Sequence, residues 1–393
     1  QLALAAANGH DLKAIASTAI EAGRSVDRSA SWDAVVTDAS AWLRERSNTW
    51  TRAQVAAAVR RFAPVDASLT EQEFVARCDR LADELMDGHV RLTPVEVLGP
   101  EALRRADGAS MYERHGEAIN TAPEVVARER WAIDVATQRA PFQLDQSMVE
   151  RTINAPSASD STKRLTPDQA NAVRHVLTAS ERLSVIVGPA GTGKTFSQEM
   201  TVQALAQQGI GVVGLTLGSN AAAVLANDIA GAGTATKTWN IAQAMTMGAD
   251  KLVAGASKDG AQCRVILVDE AGMVPDAELE WVLNAAERHD LKVIIVGDPE
   301  QLAAPGAGGL TRLLTAQVGF VQLEEVRRFK ADWERRASLR LRSGDVGVLD
   351  DYIARNRVIE GTQDDVERRA VSSAVTSLSR GETCLVMAGT NER

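Results

Sequence analysis

Residues 188–195 read Gly188-Pro189-Ala190-Gly191-Thr192-Gly193-Lys194-Thr195, the phosphate-loop pattern G-x-x-x-x-G-K-[ST]. The pattern works only between a buried strand and a helix, so it constrains the fold as well as the chemistry. Its glycines let the backbone curl so that successive N–H groups face phosphate oxygens. Lys194 has the reach for β- and γ-phosphates, and the Thr195 hydroxyl suits Mg²⁺. The flanks agree. Leu183-Ser184-Val185-Ile186-Val187 is a short β-branched run of buried-strand type, and Phe196–Gln208 has helical character. The helix N-terminus adds positive dipole at the phosphates. All eight residues are therefore expected to bind a nucleoside triphosphate, with Mg²⁺ as cofactor.

Three further segments extend this reading. Arg264-Val265-Ile266-Leu267-Val268-Asp269-Glu270 is an apolar strand ending in two acids. Acids at the carboxyl end of a parallel strand lie where ligands bind. Asp269 suits Mg²⁺ and Glu270 suits general-base attack on water. Lys292–Val296 is another strand, followed by Gly297-Asp298-Pro299-Glu300-Gln301-Leu302. The Gln301 amide can donate to a γ-phosphate oxygen and accept from water. Leu165-Thr166-Pro167-Asp168-Gln169 opens a helix, with Thr166 as cap and Pro167 in the first turn. Gln169 is either a helix-start residue or a reader of an adenine edge, for which its amide has both donor and acceptor.

Organisation follows from composition. Helical periodicity covers Asp33–Arg46, Arg52–Phe62, Gln72–Met86 and Ala122–Thr137, with a hairpin expected around Val90–Tyr112. Thr70 and Glu73 form a capping-box pattern. Ala155–Ser161 reads as a linker. From Leu165 strands and helices alternate, the signature of βαβ units and a parallel sheet, with strands at Val185–Val187, Gly211–Leu217, Val265–Val268 and Lys292–Val296. The run Thr383–Ala388 reads as a strand of a further α/β unit beginning after about residue 345. Three distant cysteines (Cys78, Cys263, Cys384) offer no CxxC pair and suit reduced thiols of a cytoplasmic protein. No apolar run reaches the roughly 20 residues of a membrane span. The net charge of −9 gives no support to nucleic-acid binding, though a local basic groove suffices for it. Residues 323–342 hold a local excess of arginine, read either as such a groove or as a solvated helix with i,i+4 ion pairs.

Together, Gln169, residues 188–195, Asp269-Glu270 and Gly297–Leu302 resemble the motifs of superfamily 1B helicases of the RecD-like branch. Leu323-Glu324-Glu325-Val326-Arg327-Arg328-Phe329 is similar to a fourth motif, whose arginine reaches the γ-phosphate. Arg328 aligns there, with Arg327 as the alternative. Phe329–Ser338 and Asn48-Thr49-Trp50-Thr51-Arg52-Ala53 look like the helicase part of conjugative relaxase–helicases of the TraI/TrwC/TraA (MobF) type. The resemblance implies a RecA-like parallel-sheet phosphate-loop domain at 151–343. A small mainly helical region at 1–150 precedes it, and the start of a second RecA-like domain follows at 344–393. It implies an ATP-dependent 5′→3′ DNA helicase acting on single-stranded DNA, monomeric and cytoplasmic, with relaxosome proteins as partners. Two readings stand beside it: a RecD-like repair helicase, and a non-enzymatic single-strand-binding or scaffold module.

Family relaxase domains carry a histidine triad, whereas His10, His89, His115, His175 and His289 stand apart here. The chain opens on Gln1 and closes on Thr390-Asn391-Glu392-Arg393 without the family's later motor motifs, so it reads as part of a longer protein. In the family, DNA crosses the motor opposite the nucleotide. The matching residues are Ser219 and Asn220 after the second strand, then Thr236, Lys237 and Trp239. Trp239 is either a base-stacking residue or a core aromatic.

Overall fold

The computed structural model describes residues 31–66, 68–93, 118–157, 159–229, 236–257, 260–301, 304, 306–327, 329 and 331–387. In chain order the first elements are α1 (Val35–Arg46), α2 (Arg52–Phe62), α3 (Glu71–Asp87), β1 (Val90–Arg91), β2 (Asn120–Thr121), α4 (Pro123–Thr137), α5 (Gln146–Asn154) and α6 (Pro167–Thr178). Next come β3 (Leu183–Val187), α7 (Lys194–Gln207), β4 (Ile210–Thr216), α8 (Ser219–Ile229), β5 (Thr236–Asn240), α9 (Ile241–Met247) and α10 (Ala249–Gly255). Then follow β6 (Gln262–Val268), α11 (Asp276–Arg288), β7 (Lys292–Gly297), α12 (Leu310–Val318) and β8 (Val321–Gln322). The last helices are α13 (Asp332–Arg342), α14 (Leu349–Ile353) and α15 (Gln363–Ser379).

Two compact units result. One holds the described residues up to Gly188 together with Lys194–Leu323; the other holds Pro189–Gly193 and the described residues from Glu324 onward. In the first unit six parallel strands are ordered β5-β4-β6-β7-β3-β8. This is the α/β, RecA-like arrangement expected from the sequence. Side chains alternate across the sheet, as a period of two requires. Val185, Leu215, Ile266 and Ile295 face one apolar layer with α4, α9, α10, α11 and α12. Ile186, Val212, Leu267 and Ile294 face the opposite layer with α5, α6, α7 and α8.

The amino-terminal helices close on their own core around Trp50, Val55, Val59 and Cys78. The Thr70–Glu73 capping box forms in both directions. Trp50 exchanges two backbone hydrogen bonds with Asn120, at 2.9 Å each. One polar knot ties this region to the sheet domain. The Asp276 carboxylate, 1% exposed, accepts from Asn48 Nδ2 at 2.5 Å, from the Arg128 guanidinium at 3.3 Å and from the Leu310 N–H at 2.9 Å. Arg128 also donates to Asn48 Oδ1 at 2.6 Å. A buried carboxylate is tolerable only when its lone pairs are filled in this way.

Two expectations change. Val90–Arg91 pairs antiparallel with Asn120–Thr121, so the hairpin closes further along than Tyr112; residues 94–117 lie outside the described set. Thr383–Met387 forms no strand, and Ala388 lies outside the described residues. An apolar run becomes a strand only beside another strand that fills its hydrogen bonds. Among the described residues of its unit there is none. That unit is helical, with Arg327, Arg335 and Arg340 each paired to a carboxylate. This supports the solvated-helix reading of the basic stretch.

Two stability predictions follow from these buried charges. Asp276→Ala strands the Asn48 amide and the Arg128 guanidinium, and should lower unfolding free energy by about 3 kcal/mol. Asp276→Asn, which keeps an acceptor, should recover part of this in a urea titration. Lys292 is 1% exposed at the start of β7, donates to the Ala179 carbonyl at 2.9 Å, and is pushed down to about 8 by burial. The unfolded chain binds the extra proton between that value and the ordinary 10.5, so stability rises with pH across the window. Lys292→Met should abolish this rise. The stability gap between variant and parent should therefore shift by about 3 kcal/mol from pH 8 to pH 10.5.

Candidate functional site

The site forms at the carboxyl edge of the sheet. Strand β3 runs directly into Gly188, whose N–H donates to the Gly297 carbonyl at the end of β7, at 3.0 Å. The loop then turns through Gly191 and Gly193, at φ 87° and 81°, a region closed to most side chains. Thr192 is buried, and its hydroxyl donates to the Pro189 carbonyl at 2.9 Å. Ala190 is exposed. Lys194 and Thr195 open α7, Lys194 buried and Thr195 exposed on its first turn.

Strand β6 delivers the two acids. Lys194 Nζ lies 3.4 Å from both carboxylate oxygens of Glu270. Asp269 Oδ1 accepts from Gln198 Nε2 at 2.6 Å. Burial pushes the Asp269 carboxyl above the usual carboxylate range, and the neighbouring Glu270 charge adds to this; the Gln198 bond pulls the other way. Gln198 is 1% exposed, and its Oε1 has no partner among the described residues. An orphaned buried acceptor of this kind marks a site rather than a core. Gln198 is absent from the sequence-level set. The available signal is its spacing: one turn after Lys194 it shares that residue's helix face.

Glu270 sits at φ 51°, ψ 40°, a left-handed conformation that costs a non-glycine residue roughly 1–2 kcal/mol. Two glycines let the turn that follows press onto the end of β7. A Cβ at Gly272 would lie 2.8 Å from the Asp298 carbonyl oxygen, and one at Gly297 would lie 3.0 Å from the Ala271 nitrogen. Thr311 completes the clamp by donating to the Ala271 carbonyl at 2.8 Å.

The structure brings Lys194, Asp269 and Glu270 together. Gln301 is exposed on the loop after β7, its Nε2 donating to Asp298 Oδ2 at 3.3 Å. Gln169 is 2% exposed at the start of α6, where its Oε1 accepts the Thr166 N–H at 3.1 Å. This bond closes the capping box at the start of the helix. Arg328 lies outside the described residues. Arg327, its alternative, donates to Glu325 at 2.8 Å, and its N–H donates to the Gly191 carbonyl at 2.7 Å.

The expected DNA contacts are not gathered on one face. Ser219 accepts from Asn240 Nδ2 at 2.6 Å, and Asn220 is exposed beside it at the start of α8. Thr236 sits at the opposite end of β5, four residues or about 13 Å from Asn240. Lys237 and Trp239 alternate with Thr236 and Asn240, so they take the other face. Trp239 packs against the apolar layer there and lies close to Gly255. The core reading of Trp239 prevails because the edge strand β5 turns that face onto α9 and α10.

The donor set fits a divalent cation with a phosphate chain. A hydroxyl and a buried carboxylate are hard oxygen ligands, and burial outweighs the Gln198 amide bond in setting the Asp269 charge.

Residues 164–363 match the AAA domain family. The chain is 30% identical over 232 residues to a probable conjugal transfer protein TraA of Sinorhizobium fredii, covering 57% of this chain and 20% of that protein. It is 30% identical over 309 residues to the conjugal transfer protein TraA of Rhizobium radiobacter, covering 72% of this chain and 27% of that protein. It therefore spans about a fifth to a quarter of the length of these relatives. Among solved structures, the Pif1 helicase from Candida albicans aligns with a TM-score of 0.38 at 18% identity, covering 55% of each chain.

Burial of Asp269 carries a prediction. A carboxyl raised in the folded state costs stability when ionised, and the cost appears as pH rises through the raised value. Asp269→Asn should therefore melt about 2–4 °C above the parent at pH 7.5. The gap should close as pH falls toward 4. A variant that melts no higher would mean that Asp269 carries no such cost.

Proposed function

Because the chain belongs to the AAA domain family and is related to conjugal transfer protein TraA, we propose that it is the ATP-driven motor segment of a conjugative relaxase–helicase, moving 5′→3′ along single-stranded DNA. The observation that carries the reading is the convergence of Lys194, Glu270, Asp269 and Gln198 at the end of two strands and one helix. A triphosphate-cleaving site needs a cation for the phosphates, a carboxylate for the water and a second carboxylate for the metal.

In this reading residues 188–195 cradle the phosphate chain through main-chain N–H groups. Thr195 and Asp269 would hold Mg²⁺, which would supply positive charge against the phosphate oxygens. Glu270 takes a proton from water as its oxygen bonds to the γ-phosphorus and the bond to the β-phosphate oxygen breaks. Lys194 pairs with Glu270 in the structure, so a γ-phosphate competes with that carboxylate for the ammonium. Binding of substrate frees the base at the moment it is needed. Gln198 positions Asp269. Gln301 and Arg328 are assigned to sensing and neutralising the γ-phosphate, and Gln169 to the adenine edge.

The test is ATP turnover with and without single-stranded DNA. DNA-stimulated hydrolysis is expected, and Lys194→Ala should reduce it on the order of 100-fold or more. Glu270→Gln should abolish turnover while nucleotide still binds. Nucleotide binding with no hydrolysis in the parent chain would instead favour a binding module, and unchanged turnover in Lys194→Ala would remove the assigned site.

A further inference from the structure

Between α1 and α2 lies a groove of about 460 Å³, well separated in sequence from the nucleotide residues. That volume is within the range of ligand sites. The Trp42 ring forms part of its wall, with the Arg46 guanidinium stacked 4.3 Å from the ring centroid and the Arg61 guanidinium at 5.5 Å. Both arginines are exposed, and among the described residues neither has a carboxylate partner. By contrast, Arg52 and Arg60, on the same helix as Arg61, bind Asp83 and Asp79. Trp50 contributes to the same wall. Thr49 and Gln54 supply neutral polar groups at the rim.

From this geometry we infer that the α1–α2 groove is a second contact for single-stranded DNA, seating one nucleotide unit. A guanidinium held 4.3 Å from an indole centroid at an exposed position is placed to meet a base, and base–guanidinium stacking is tolerant of sequence. Two uncompensated cations match a phosphate on either side of that base. An acidic peptide could satisfy the charges but offers no planar face for the Arg46 guanidinium. The inference rests on the DNA-motor reading above and extends it to the amino-terminal helices.

The experiment measures binding of the full chain to a fluorescein-labelled oligothymidylate by anisotropy across a salt series. The parent is compared with Arg46→Gln/Arg61→Gln. Circular dichroism verifies that the variant is folded, and Arg46→Lys/Arg61→Lys serves as a second variant that keeps charge but removes the planar fork. The Gln pair should bind about tenfold or more weaker, with a slope of log K against log salt shallower by about 1.4, two contacts at about 0.7 each. The Lys pair should retain the slope and lose affinity. Unchanged affinity and slope in the Gln pair would overturn the inference while leaving the motor reading intact. If the parent fails to bind the oligonucleotide, both fall. Competition by polyglutamate as strong as by unlabelled oligothymidylate would overturn it in favour of an acidic protein partner.

Discussion

The backbone hydrogen bonding that places β7 between β3 and β6 underlies everything else in the sheet domain. All three strands run parallel, so all three release their chains at one edge. Adjacent strands are about 4.8 Å apart, which sets the ends of β3 and β6 about 10 Å from each other. That interval is too wide for backbone groups to bridge and well suited to long side chains. Lys194 and Gln198, on successive turns of the helix after β3, cross it to reach Glu270 and Asp269. The intervening strand must then stay out of the way, and Gly297 and Gly272 do this by having no side chain where the two turns touch.

The price of this arrangement is local stability. Asp269 is an acid held above its usual range by burial, Glu270 is held in a left-handed conformation, and Gln198 keeps one oxygen unsatisfied. Each would be selected against in a plain core. Together they cluster within one turn of a strand end. Sites that oppose the stability of their own fold are a recurring mark of function.

The sheet was legible because a buried parallel strand leaves a strong trace: continuous β-branched runs such as Leu183–Val187 and Lys292–Val296 coincide with β3 and most of β7. Helix starts were legible where a side chain caps locally, as at Thr70 with Glu73. What was hidden depends on distant neighbours. Gln198 looks like any helical glutamine until β6 arrives beside it. Asn48 and Asp276 are 228 positions apart, and no local pattern joins them. Thr383–Met387 has strand composition and no strand to pair with. Trp239 has the composition of a stacking residue, yet sheet alternation turns it inward.

The amino-terminal helices meet the sheet domain through the turn between α1 and α2, and that turn works on two sides. Toward the sheet, the Glu45 carbonyl accepts the Ala307 N–H at 3.2 Å and Asn48 grips Asp276, the first residue of the helix that follows Glu270. Toward solvent, Arg46, Thr49 and Trp50 line the α1–α2 groove. Residues on opposite sides of one short turn cannot move independently, because packed backbone transmits displacement rather than absorbing it. The groove lining and the contacts that hold the segments after β6 and β7 thus share the same few peptide units. The helices are thereby joined to the carboxyl edge of the sheet through side-chain and main-chain hydrogen bonds at Asp276, Ala307 and Gly308.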